Sequence, residues 1–173
     1  MQDITPGEDT SRSIQSVDQS PCFHNLLFSD RDSRGPFRSA FELWEAISLS
    51  LHNPHKRIFP NQALEALKKR LPKCEPYVLT HCDLNLGNLL VKDSALAGIL
   101  GWELAAYYPV WYEYVSASGD RPRRMLGKKL LQKHFSVHSN SHHDAKKFWR
   151  DLREMRKYPN LDANGQEVLE GLL

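Results

Sequence analysis

The sequence predicts an α+β fold, mostly helical, with a few short strands gathered around one polar loop. Three observations carry this. Apolar residues recur at helical spacing in segments near 39–51, 61–71, 125–135 and 142–158. Three short apolar runs, 77–80, 88–91 and 97–100, are bounded by turn residues and read as small strands. Between the first two of them lies the polar stretch that starts at His81, placed as a loop at the end of a strand.

Residues 1–20 are rich in Ser, Thr, Asp and Gln with little to bury, so a flexible tail is expected there and a domain over 21–173. Pro21 to Phe28 is a short apolar patch, and Asp30 to Pro36 is a loop by composition. Ser39 followed three residues later by Glu42 has the arrangement of a capping box, and Phe41, Trp44, Ile47, Ser48 and Leu51 then share one helix face. The run from His52 to His55, broken by Pro54, ends that helix. A second helix is expected over 61–71, with Leu64, Leu67 and Leu71 on one side. Its Lys68-Lys69-Arg70 cluster complements the C-terminal dipole, and Pro72 stops it. Tyr107 to Tyr114 is dense in aromatics and is either a substrate-facing wall or the packed start of a helix after Pro109. Beyond the loop at 120–124, helices are expected over 125–135 and 142–158; in the second, Ala145, Phe148, Trp149, Leu152 and Met155 trace an apolar stripe edged by Arg156. The chain closes with a loop and a short amphipathic helix.

Composition narrows the function. The chain has 173 residues, 40% hydrophobic and 25% charged, ordinary for a soluble globular protein. No apolar run approaches the roughly 20 residues of a membrane span, and the N-terminus lacks a basic region followed by an apolar core, so no membrane contact and a cytoplasmic location are expected. Cys22, Cys74 and Cys82 are odd in number and unpatterned, against a disulfide framework or a zinc site. The net charge of +2 hides an asymmetry: residues 121–157 carry 12 Lys/Arg against 3 Asp/Glu. These charges fall at helical intervals with few aromatics between them, which reads as the solvated face of helices; nucleic acid is not an expected partner. His134, His138, His142 and His143 fall close together, yet 139–141 interrupts any common ligand spacing, and surface histidines are expected.

The stretch from His81 to Trp102 carries the chemistry. His81, Asp83 and Asn88 sit in the polar loop, and an Asp followed five residues later by an Asn is the pairing that phosphoryl transfer needs. The carboxylate accepts or orients a hydroxyl proton, and the amide oxygen coordinates Mg²⁺.

His81-x-Asp83-x-x-x-x-Asn88, a turn at Lys92-Asp93-Ser94 and then Gly98-Ile-Leu-Gly-Trp-Glu103 together resemble the aminoglycoside phosphotransferase and choline kinase group, which shares the protein-kinase fold. Its members usually read His-Gly-Asp-x-x-x-x-Asn followed by Ile-Ile-Asp-Trp/Phe-Glu. The continuation from Leu104 to Tyr114, with Gly35-Pro36-Phe37 and Phe41-x-x-Trp44 upstream, looks like the fungal-type branch, and the resemblance covers roughly residues 17–118.

The resemblance implies the C-terminal lobe of a kinase-like fold, with Asp83 as catalytic base, His81 ordering the loop, and Asn88 as the retained Mg²⁺ and cofactor ligand. It implies Mg²⁺ and ATP as cofactors if the chain is active, and a small-molecule hydroxyl as acceptor. Two positions depart from the pattern. The second metal ligand, an Asp in the family, is Gly101 here, and Cys82 stands where the family has Gly. Asp93 and Glu103 are the nearest carboxylates in sequence to the lost ligand. Only 80 residues precede His81, with Gly7 and Gly35 as their only glycines and no run of alternating strands, so the N-terminal nucleotide lobe is expected to be absent. Impaired or lost phosphoryl transfer follows from these departures. The alternatives are a pseudokinase-type binding or regulatory module and a truncated family member, with a partner protein covering the exposed lobe interface.

Overall fold

A computed structural model describes residues 10–23, 26–28, 32–51, 58–116 and 140–173. The element that holds the N-terminal chain in place is a single side chain. Ile14 is fully buried, and its backbone exchanges two hydrogen bonds with Phe37, 2.8 and 3.0 Å. On either side of it, β1 (Thr10–Ser11) pairs with β5 (Tyr77–Thr80), and β2 (Gln15–Ser16) pairs with β8 (Ala106–Pro109). Residues 10–11 and 15–16 are therefore strands of the sheet, in a stretch whose composition suggests a tail; residues 1–9 lie outside the described residues. Polar edge strands need only backbone pairing and one apolar anchor, and a reading by composition overlooks both.

The sheet is four-stranded, in the order β1-β5-β8-β2, and antiparallel throughout. Its central pair, β5 and β8, runs in register from Tyr77↔Pro109 to Thr80↔Ala106. Tyr77, Tyr108 and Pro109 are buried. The aromatic run splits between β8 and α3 (Tyr112–Ser116), with Tyr108 and Tyr112 stacked at 4.0 Å and Trp111 donating its indole N–H to the Lys73 carbonyl. Those rings build core. A second small sheet pairs β3 (Cys22–Phe23) with β4 (Ser33–Arg34).

Helix α1 (Ala40–Leu51) starts where the capping box places it: Ser39 Oγ accepts from the Glu42 N–H at 3.2 Å, and Glu42 reaches back to the Arg38 N–H at 2.7 Å. Its buried face is Leu43, Trp44, Ile47 and Leu51; Phe41, expected on that face, is 63% exposed and lies under the Lys68 ammonium. Helix α2 (Asn61–Lys69) buries Ala63 and Leu67. Long α4 (Asn140–Met155) buries Ala145, Phe148, Leu152 and Met155 at helical spacing, as the stripe predicts, and packs against α3 and α5 (Ala163–Glu170). Asp162 caps α5 by accepting from the Gly165 N–H at 2.9 Å. On α4, buried Asp151 takes an ion pair with Arg70 at 2.8 Å, which ties α2 to α4. The helix expected over 125–135 lies outside the described residues, as do His134 and His138. His142 is buried against Tyr114 at 5.0 Å while His143 is exposed, so the pair does not converge. No helix among the described residues is long and apolar enough to cross a membrane.

Candidate functional site

The loop that follows β5 closes on itself through side chains that face inward. His81, nearly buried, uses both ring nitrogens: Nε2–H donates to the Leu100 carbonyl at 2.8 Å, and Nδ1 accepts the Asp83 N–H at 3.2 Å. That pattern puts the donor hydrogen on Nε2 and the acceptor lone pair on Nδ1. The ring also meets the edge of Trp102 at 4.8 Å, and the Trp102 indole N–H is spent on the Ile99 carbonyl at 2.8 Å. His81 thus joins the loop after β5 to the chain leaving β7.

Asn85, which the sequence reading passed over, builds the turn. Its Oδ1 accepts the Gly87 N–H at 2.9 Å, and its amide donates to the Asp83 carbonyl at 2.8 Å. This is an Asx-turn that leads into one turn of 3₁₀ helix, Leu86–Asn88. From there β6 (Leu89–Lys92) and β7 (Ala95–Ile99) form a hairpin closed by Asp93 and Ser94, both at positive φ, +50° and +61°. A two-residue turn with both central residues left-handed is the type I′ geometry that matches strand twist. The hairpin brings residues 100–102 back beside the loop, where the Leu100 N–H donates to the Asn88 carbonyl at 2.8 Å.

Asp83, Asn88 and Gly101 are therefore brought together as the motif predicts, but not as ligands around one point. The Asn88 amide nitrogen donates to the Asp83 carbonyl at 2.8 Å and to its carboxylate at 3.3 Å. Gly101 is left-handed, φ +78° and ψ 44°, and a Cβ there would come within 2.8 Å of the Asn88 amide nitrogen and 3.0 Å of its oxygen. The space that a residue-101 side chain would fill is occupied by Asn88. Oxygen donors suit Mg²⁺, which asks for near-octahedral oxygen geometry. Here the Asn88 amide spends its nitrogen and not its oxygen on Asp83, but Gly101 brings no oxygen, so the residues present supply only one member of the two-ligand set. Among the described residues, no group of three or more His, Cys, Asp or Glu could hold a metal ion. Glu103, the sequence neighbour, is exposed on the 3₁₀ turn Trp102–Leu104.

Cys82 occupies a left-handed position, φ +67°, which accounts for the glycine that the resemblance places there. Its peptide is gripped from α3: the N–H donates to Glu113 Oε2 at 2.9 Å, and the carbonyl accepts from Ser116 Oγ at 2.7 Å. Burial first, and then the Glu113 carboxylate, push the Cys82 thiol well above its ordinary value. Glu113 and Ser116 escaped the sequence reading. The lone carboxylate inside the aromatic run 111–114 was the available signal, since a carboxylate among rings needs a donor to justify its place.

The geometry is that of a self-satisfied loop presenting one half-buried carboxylate, Asp83, beside an amide. No curated protein and no solved structure matches this chain. The model of the phosphotransferase enzyme family matches residues 10–158, which takes in the sheet, the loop, the hairpin and the whole of α4. On that match, and with the loop built as described, the chain belongs to the phosphotransferase enzyme family.

Proposed function

We propose that this chain is a phosphotransferase-family domain that keeps the scaffold of the catalytic loop, has lost metal-dependent phosphoryl transfer, and serves as a pseudokinase-type binding or regulatory module. The observation that carries the reading is Gly101 packed against the Asn88 amide. Asn88 and a carboxylate at position 101 would together hold a metal that offsets phosphate charge, and without the carboxylate the transition state would lose much of that stabilisation. Asp83 and His81 remain the residues through which a surviving activity would act, on an acceptor hydroxyl whose proton Asp83 takes.

The test is thermal unfolding of the natural chain with and without Mg-ATP, alongside a phosphoryl-transfer assay on small-molecule alcohols. A ligand at 100 times its dissociation constant adds roughly 2.7 kcal/mol, several degrees in Tm for a chain of this size. No shift and no turnover are expected. A shift that is lost in Asn88→Ala, or turnover that is lost in Asp83→Ala, would establish an active phosphotransferase and overturn the proposal.

A further inference from the structure

The end of α2, the loop that follows it and the N-terminal half of α4 enclose a cleft of about 380 Å³, which none of His81, Asp83 and Asn88 lines. Four cations line it, Lys69, Arg70, Lys73 and Lys147, against one carboxylate, Asp144. Its walls are tied in place. Arg70 Nη1 meets Asp151 at 2.8 Å and Nη2 donates to the Gly171 carbonyl at 2.5 Å, which holds the end of α2 against α4. Pro72 is buried, and the Trp111 indole N–H fixes the Lys73 carbonyl at 2.9 Å.

The three lysines differ from the other cations of this face. Arg70 has Asp151, and Arg150 reaches the other oxygen of that carboxylate at 3.5 Å. Arg153 reaches Glu154 at 3.6 Å, and Lys157 reaches it at 2.5 Å. Lys69, Lys73 and Lys147 are exposed and take no ion pair among the described residues. Helical spacing alone spreads lysines over a solvated face, but these come from a helix end, a loop and a second helix far along the chain, and they share one concavity. Like charges gathered around a cleft repel one another, and an anion seated among them relieves that repulsion.

The lining also selects among anions. Phosphate is held best by a guanidinium fork, and the one fork here, Arg70, is spent on Asp151 and Gly171. Single-stranded nucleic acid asks for an open ring on which a base stacks; the one aromatic residue of the lining, Phe148, is buried. Lysine ammonium groups act as point charges that pair with separate carboxylates. Asp144 offers an acceptor for the backbone N–H groups of a peptide, which a phosphate lacks, and half-buried Leu71 offers apolar contact. We infer that this cleft docks an acidic segment of a partner protein, rich in Asp and Glu, with its carboxylates on Lys69, Lys73 and Lys147. The inference goes beyond the function proposed above, since a docked partner suits a silent catalytic loop and an active one equally.

The experiment titrates a fluorescein-labelled hexaglutamate peptide with the full chain and follows anisotropy, with hexaglutamine as the neutral control. A Kd below about 100 μM is expected at roughly 0.05 M salt, at least about tenfold tighter than for hexaglutamine and weakening as salt rises. Lys73→Glu with Lys147→Glu should weaken binding at least about tenfold. Lys92→Glu with Lys146→Glu makes the same change in net charge at exposed positions outside the cleft, and should alter binding by less than about twofold. Carbodiimide coupling joins a peptide carboxylate to a lysine amine with loss of water, and mass spectrometry should place the new amides on Lys69, Lys73 or Lys147. The inference is overturned by no binding at about 1 mM chain, by equal losses in the two double variants, or by amides formed mainly at other lysines. Inorganic pyrophosphate or hexauridylate that displaces the labelled peptide at a lower concentration than unlabelled hexaglutamate does would assign the cleft to phosphate anions and overturn it as well. Should the cleft variant fail to fold, the coupling map on the natural chain decides alone.

Discussion

Substituting Gly101 tests the geometry and the proposed loss of function together. Gly101→Ala adds a Cβ at φ +78°, where an L-residue costs about 1–2 kcal/mol relative to glycine. The same Cβ would sit 2.8–3.0 Å from three atoms of the Asn88 amide, so that side chain must swing away and give up its 2.8 Å bond to the Asp83 carbonyl, a further loss of about 1 kcal/mol. Reduced freedom of the unfolded chain returns roughly 0.4–1 kcal/mol. The net expectation is a destabilisation of about 2 kcal/mol, a fall in Tm of about 4–8 °C for a chain this long. Denaturant unfolding should show it as a lower midpoint at unchanged slope, and the Asn88 side-chain amide signals should move in NMR. Gly101→Asp, the change that restores the family's residue, carries the same steric cost and adds a carboxylate close to the Asp83 carboxylate; it should be less stable than the alanine variant without Mg²⁺ and recover part of the difference when Mg²⁺ is added. If Gly101→Ala stays within about 0.5 kcal/mol of the natural chain, the close approach of Asn88 is wrong and the argument from a filled ligand position falls with it.

Three further outcomes are expected. Ile14→Ala should cost about 2–4 kcal/mol in denaturant unfolding, because the side chain is fully buried, whereas Val17→Ala, 60% exposed three residues on, should change stability by less than about 0.5 kcal/mol; equal effects would return residues 10–20 to the status of a tail. At the left-handed residue 82, stability should order as Gly at or above Cys and Val lowest by about 2 kcal/mol or more, since a β-branched side chain suits φ +67° worst; a valine variant as stable as the natural chain would contradict that backbone. Burial raises the Cys22 thiol to about 11 and the Cys74 thiol to about 12, so at pH 8 the thiolate is on the order of one molecule in a thousand or fewer. Iodoacetamide followed by mass spectrometry should leave both unmodified in the folded chain and alkylate both in denaturant; rapid labelling of either in the native state would show that it is not buried.

What the sequence made legible was whatever local chemistry specifies. The Ser39–Glu42 cap, the apolar stripe of α4 and the hairpin strands around residues 89–99 follow from spacing and turn residues, and they appear within a residue or two of expectation. The clustering of His81, Asp83, Asn88 and Gly101 was legible too, because all lie within 21 residues joined by one hairpin. What stayed hidden depends on chain distant in sequence. Strands β1 and β2 exist only through partners more than 60 residues away, and no two-residue strand announces itself. Phe41 has the period of a core residue, yet the face that packs is turned towards Leu43, so periodicity gave the helix and misplaced its edge. Glu113 and Ser116 act on Cys82 across more than 30 residues, a contact that only the fold reveals.

The persistence of the motif in a chain proposed to lack its chemistry has a structural cause. His81 bridges Leu100 and Asp83, Asn85 makes the turn, and the Asn88 amide joins the Asp83 carbonyl; each of these bonds satisfies a polar group that the loop would otherwise leave half-buried and unpaired. Removing any of them costs stability whether or not phosphate is ever transferred. Identity at positions 81, 85 and 88 therefore reports that the loop folds, and says little about catalysis. Position 101 is different. Glycine has no side chain to make such a bond and satisfies the left-handed backbone better than an aspartate would, so the fold by itself favours glycine there.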